Sequence, residues 1–340
     1  MAMNLRGVVV GVSTLIGKEL IEELNTSDKS WDLRLADTTE ASGQLVAGGD
    51  EALVVQPLTP DIFAGQDVAF FTAEPQNTLT HWREAKTAGA AIVDMTAALE
   101  FEPGATVYSP WIHAGATRSI DSAVVIPAHP AAVMLGIVAS QLAATFGHFR
   151  LAATVLEPAS QQGSKGLDEM HQQTVSLLGF HPLPQEVYDA QVAFNTRISF
   201  GEAAKVDLST VAATIRRHLK AIVGDSVASS VTLQLVQAPV FHGYTMSVYV
   251  QLPADVDATA VRRALSGDGI HMASTNEEAP SNQSVVEQPD IAIALADDSL
   301  GSHEMRGFWL WLAADNLKLA ARNAIACGEE LAALRGAKPR

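Results

Sequence analysis

The chain of 340 residues carries a single cysteine, Cys327. One thiol excludes an internal disulfide and any zinc site built on cysteines. Basic residues are scarce: 22 lysines and arginines stand against 38 aspartates and glutamates, a formal net charge of −16. A surface of that sign repels phosphate backbones and anionic lipid, so neither nucleic acid nor a membrane is expected as a partner. Aromatics are only 6% of the chain, and its tryptophans read as core or interface side chains, not as a base-stacking platform. No apolar run approaches the roughly 18 residues a spanning helix needs. The first residues, Met-Ala-Met-Asn-Leu-Arg, pass into a strand without the apolar region of a leader, so the expected compartment is the cytoplasm. His113, His148, His171, His181, His218, His271 and His303 show no ligand spacing such as His-x-x-x-His, and no metal is expected.

What is present is ordinary for a soluble α/β protein: 48% hydrophobic residues, 18% charged, and length enough for two domains. Residues 5–10 form an apolar strand that breaks at Gly11. A helix follows over 15–24 with Leu20, Ile21 and Leu24 at helical spacing. The turn between them, Gly11-Val12-Ser13-Thr14-Leu15-Ile16-Gly17, opens a dinucleotide-binding unit: glycines for the tight turn, then a helix N-terminus for pyrophosphate. Thr14 takes the place of the middle glycine and puts a side chain where backbone should approach a phosphate. A second strand over 31–36 ends in Asp37, which could accept from the ribose hydroxyls of NAD and would repel the 2′-phosphate of NADP. The other reading of Asp37 is a polar loop residue in Asp37-Thr38-Thr39-Glu40. Strands recur at 52–55, 68–72 and 90–94, with a helix over 79–88, so a mostly parallel, doubly wound sheet is expected. Thr72 and Ala73 lie at the carboxyl edge of that sheet, where such folds bind ligands.

The stretch Val-Val-Ile-Pro-Ala-His-Pro-Ala-Ala-Val-Met-Leu at 124–135 reads as the end of a buried strand, a turn, and a helix running to about Phe146. Pro130 suits the first helical turn. A strand entering a helix N-terminus is where an α/β enzyme would place a thiolate or hold an oxyanion, yet no nucleophile stands there. His129 is the only side chain of the turn with chemistry to give, and a structural role is its plain alternative. Beyond it, a strand over 151–156, a loop over 161–166 and helices over 167–178 and 206–223 are expected. Arg216, Arg217 and Lys220 line one side of the second helix, read as a solvated face. Residues 231–236 and 245–252 read as an antiparallel strand pair, 266–282 as an exposed excursion, and 291–295 and 308–312 as further strands. An α+β arrangement follows, closed by a helix from about 315 to 334.

This order of motifs resembles the aspartate-semialdehyde dehydrogenase family along nearly the whole chain. The matching pieces are 11–17, 69–73, 91–98, 125–135, the loop before Leu167, Ala193-Phe194-Asn195, 238–241, and Trp-x-x-x-Asp-Asn-Leu-Lys at 311–318. The resemblance implies a Rossmann-type dinucleotide-binding domain made from 1–130 and 315–340. It also implies an α+β central domain, 131–314, whose sheet forms a homodimer. It further implies reduction of an acyl phosphate through a cysteine thioester, with a histidine as acid/base, arginine and lysine holding substrate, and NADPH supplying hydride. Carried onto this chain, the nucleophile falls on Ala131 or Pro130, depending on whether Ile126 or Leu135 anchors the match. The active-site glutamine falls on or next to Glu157, and the histidine on Tyr244, with His242 two residues earlier. The substrate-arginine strand lies over Ala292-Ile293-Ala294-Leu295, and the phosphate-binding arginine falls on Glu100. The chain therefore resembles the Usg-type divergent branch, which keeps the fold without the cysteine.

Three functional readings stay open. One is a non-catalytic dimer that binds a nucleotide, NAD or NADP, or a partner protein. Another is an NAD(P)-dependent oxidoreductase acting on a different, less anionic substrate without covalent catalysis. The third is a structural partner that dimerises with an active paralogue. Lys165, near the start of the helix after the 161–166 loop, reads either as an anion anchor or as a solvated lysine. His242 reads as a group titrating near neutrality or as a hydrogen-bonded structural histidine, and Tyr244 needs a cation beside it to give up a proton readily.

Overall fold

The computed structural model describes residues 4–38, 41–48, 51–112, 123–274, 276–298 and 305–336; Thr39, Glu40, His113 and His303 lie outside the described residues. Two compact units emerge, the first holding residues up to 111, the approach to Ala128, and everything from Ala320 on, and the second running from His129 to Leu319.

The first unit starts with β1 (Leu5–Val10), α1 (Leu15–Thr26) and β2 (Trp31–Asp37), continues through β3 (Leu45–Gly48), β4 (Glu51–Pro57), β5 (Val68–Phe71), α2 (Pro75–Thr87) and β6 (Ala91–Asp94), and ends on β7 (Ala105–Tyr108) and β8 (Val124–Pro127). These strands make one sheet in the order β3-β4-β2-β1-β5-β6-β8-β7, parallel except for the β3–β4 hairpin. β5 is apolar at every position and β6 at all but its last, Asp94, and both are fully buried, as a sheet covered on both faces requires. β4 answers to the strand expected at 52–55, whereas β3 and β7 have no counterpart among the strands expected from sequence, because each is only four residues long and none of the four residues of β7 is fully buried.

The second unit opens with α3 (Pro130–Phe146), apolar nearly all round and buried along most of its length. It continues with β9 (Arg150–Glu157), α4 (Gly163–Leu178), α5 (Leu208–Ala228), β10 (Val231–Gln237), β11 (Tyr244–Pro253), α6 (Ala258–Ala264), β12 (Ile270–Met272), β13 (Ile291–Asp298) and β14 (Met305–Ala314). Its six-stranded sheet has the order β10-β9-β11-β14-β13-β12 and is mixed. The antiparallel pairing expected of β10 with β11 is not made: β9 lies between them, parallel to β10 and antiparallel to β11. The cause is the connection after Gln237. It crosses the end of β9, taking hydrogen bonds from Ala159 and Ser160 to the carbonyls of Val240 and Phe241, and Ala238 donates to the carbonyl of Glu157. The excursion expected at 266–282 contains a short strand, β12, parallel to β13. Arg216 does not merely face solvent; its guanidinium donates to the carbonyl of Leu233 (2.7 Å) and so covers part of the outer edge of β10.

The last helix, α7 (Asn316–Gly336), leaves the second unit at its first turn and belongs to the first from Ala320 on. Asp315 caps it, accepting from the amides of Leu317 and Lys318. Cys327 lies within it, fully buried.

Candidate functional site

In the first unit the glycine turn folds as its sequence demands. Gly11 has φ +99°, and a Cβ there would lie 2.3 Å from the amide nitrogen of Ala73; one on Gly17 would lie 2.2 Å from the carbonyl oxygen of Gly11. Both glycines are therefore fixed by close approach of backbone, at the turn and between helix and strand. Thr14 does not aim its hydroxyl out of the turn. The Oγ1 donates to the carbonyl of Gly11 (2.8 Å) and accepts from the amide of Gly17 (3.0 Å), capping α1. Leu15 and Ile16 open the helix, where amides have no intrahelical acceptor. Asp37, buried at the end of β2, accepts from the amide of Ser13 (2.8 Å) and from that of Thr38 (2.7 Å). Thr72, just past β5, donates to the carbonyls of Val10 and Gly11 and ties the turn to the neighbouring strand, with Ala73 next to it. The residues singled out from sequence, Gly11 to Gly17, Asp37, Thr72 and Ala73, thus share one sheet edge. The donor set fits a dinucleotide: helix-opening amides for a pyrophosphate and a carboxylate for a ribose diol.

In the second unit the residues flagged around the start of α3 meet in a buried polar cluster. His129 caps α3, its Nδ1 accepting from the amide of Ala131 (3.2 Å), while its own amide donates to Nδ1 of His218 (3.0 Å). Burial, with His218 adding to it, pushes the His129 imidazole down to about 3, so the ring is neutral. Pro130 and Ala131 fill the first turn, both buried and neither able to act as a nucleophile. Glu157 ends β9 without solvent exposure; Gln162 donates to it (2.6 Å) and so does the Tyr244 hydroxyl (3.3 Å). Burial raises the Glu157 carboxyl to about 7 against the lowering effect of those two bonds. Tyr244 sits against the Glu157 carboxyl and the neutral His129 ring, 6.1 Å between ring centres. Burial first and the Glu157 carboxylate second push its phenol well above 10, so it is a poor proton donor at neutral pH.

A second chain of contacts runs beside the first. His242 Nε2 lies 2.9 Å from Asp315 Oδ1, and its Nδ1 lies 3.2 Å from Ser160 Oγ. The order serine, histidine, aspartate looks like a nucleophilic relay. However, Ser160 is buried and its hydroxyl donates to Asn316 Oδ1 (3.2 Å), which also accepts from the amide of Gly243 (3.0 Å). With its proton on Asn316, Ser160 is not held as a nucleophile, and the set is a strut between the turn after β9, the connection before β11 and the first turn of α7. Asp315 accepts in addition from the amide of Glu287. Burial pushes its carboxyl up, but the bonds from His242 and the amides outweigh this and hold it below the usual range. Lys165 sits exposed in the first turn of α4. Ile293 is fully buried and Leu295 half-buried in β13, and neither supplies charge.

Residues 7–128 match the description "Semialdehyde dehydrogenase, NAD binding domain", and 142–319 match "Semialdehyde dehydrogenase, dimerisation domain". A USG-1 protein homolog of Pseudomonas aeruginosa is 28% identical over 337 residues, covering 97% of this chain and 98% of that protein. The aspartate-semialdehyde dehydrogenase of Rickettsia bellii is 25% identical, with 95% and 96% covered. The solved structure of a probable aspartate-semialdehyde dehydrogenase from Pseudomonas aeruginosa superposes with a TM-score of 0.84 at 26% identity, covering 97% of this chain and 98% of that one.

Proposed function

Because the chain belongs to the semialdehyde dehydrogenase family in both its NAD-binding and its dimerisation domain, we propose that it is a nucleotide-binding homodimer without the thioester chemistry that the resemblance implies. The observation that carries this reading is the first turn of α3, where Pro130 and Ala131 stand at the position of the nucleophile. Cys327 offers no substitute: it is buried in α7, and burial lifts its thiol well above the usual value, so it stays protonated and inert. The other positions support the same reading. Tyr244 is a neutral phenol against a carboxyl, and Ile293, Leu295 and Glu100 bring no cation to an anionic substrate. Trading arginines for such residues removes charged hydrogen bonds worth about 1.5–3 kcal/mol each. The homodimer is supported by the sheet of the second unit. One of its faces carries Tyr249 and Trp309 in contact (4.9 Å between ring centres), with Trp309 47% exposed. A direct test is intact-mass analysis after incubation with aspartate semialdehyde and oxidised nicotinamide nucleotide in the absence of phosphate. The expected result is an unmodified chain; a stable acyl adduct would overturn the reading.

The second reading, an oxidoreductase working on another substrate without a covalent intermediate, draws on Glu157 alone, since a carboxyl near 7 suits acid/base work. Its full burial and its bonds to Gln162 and Tyr244 weigh against it.

A further inference from the structure

We infer that Asp37 is the element that selects the nucleotide: it admits an adenosine ribose with both hydroxyls free and excludes one bearing a 2′-phosphate. The inference rests on the nucleotide-binding reading above and concerns only which nucleotide is taken. Three observations support it. First, Asp37 closes β2, the strand beside β1 in the parallel sheet, so its carboxylate lies at the same strand ends as the glycine turn. Second, the carboxylate is held in place, one oxygen on the amide of Ser13 within the turn (2.8 Å) and the other on the amide of Thr38 (2.7 Å). A carboxylate oxygen has two lone pairs, so each keeps capacity for a ribose hydroxyl while the side chain cannot swing aside. Third, the clamp uses the Ser13 amide, a backbone donor of the turn, and Thr14 uses that of Gly17, so neither donor is spare for an additional phosphate. A 2′-phosphate would meet a fixed negative charge and find these two amides taken. A diol would meet a carboxylate whose two oxygens keep acceptor capacity. The selectivity is thus opposite to that implied by the NADPH-using resemblance.

The test is titration of the full-length protein with NADH and, separately, NADPH, followed by tryptophan fluorescence and by the ligand-induced change in melting temperature. Wild type should bind NADH at least about tenfold more tightly than NADPH. Asp37→Asn removes the charge but keeps an acceptor for the Ser13 amide, and should raise NADPH affinity about tenfold with a smaller change for NADH. Asp37→Ser, which also releases the clamp, should show at least the same gain, and circular dichroism of both variants verifies the fold. Equal or tighter binding of NADPH by wild type would overturn the inference while leaving nucleotide binding intact. An unchanged ratio in Asp37→Asn would also overturn it. Failure of both nucleotides to bind would remove the inference together with the nucleotide reading, whereas an acyl adduct in the mass test would leave it standing.

Discussion

Glu157 is a carboxyl with no solvent exposure, hydrogen-bonded by Gln162 and Tyr244, and raised to about 7. In the unfolded chain it ionises near 4.5. The folded state therefore binds more proton between those values, and stability falls as pH rises through that window. The cost above it is of order 3 kcal/mol at most. Glu157→Gln should melt higher than wild type at pH 8 and show little difference at pH 4.5, read by thermal denaturation across that range. An equal difference at both pH values would mean the carboxyl is not the cause. At this scale the sequence was only partly legible. Glu157 and Tyr244 were reached through the resemblance alone, whereas Pro130 at a helix start without a nucleophile could be read from the residues themselves. Ser160 was not reached, and Gln162 and Asn316 fell only within a loop and a motif without a role of their own, since the bond from Ser160 to Asn316 joins residues 156 apart and leaves no local pattern.

The start of α7 shows how much an element boundary can carry. Asp315 caps two amides of the helix, pairs with His242 and accepts from Glu287. Asp315→Ala should cost about 2–3 kcal/mol in urea denaturation, more than the ~1 kcal/mol of an ordinary cap, because half-buried His242 loses its partner as well. Its acid response is opposite to that of Glu157: a carboxyl held below its usual range contributes stability above its unfolded pKa and loses it as pH falls through the folded value. A cost near that of a simple cap would show that the pair with His242 contributes nothing. Helices were the most legible elements, since Pro130 and the apolar repeats of α1 and α7 announce themselves. Short strands and pairing partners were not. Nothing local tells that the 238–243 connection bridges across β9 instead of turning back on β10.

At the scale of the whole molecule, a parallel doubly wound sheet followed by an α+β unit could be read from strand–helix alternation and motif order, though not the mixed pairing of the second sheet, while self-association rests on an exposed aromatic face. Gly307 leaves room for Tyr249 on that face; a Cβ there would lie 2.2 Å from the Tyr249 hydroxyl. A symmetric dimer burying more than ~2,000 Å² is expected. Trp309→Lys should shift light scattering from dimer towards monomer without loss of secondary structure, and a wild-type monomer at all concentrations would refute the assembly. The central claim, that the family's fold is kept here without its thioester chemistry, is most directly tested by reduced-nicotinamide absorbance with purified protein, aspartate semialdehyde, phosphate and either nucleotide. No turnover is expected from wild type, from Cys327→Ser, or from Ala131→Cys, since Tyr244, Ile293 and Leu295 still leave the acid/base and the anion clamp absent. Turnover of ~1 s⁻¹ in the wild type, low for an enzyme but unmistakable, would contradict the account.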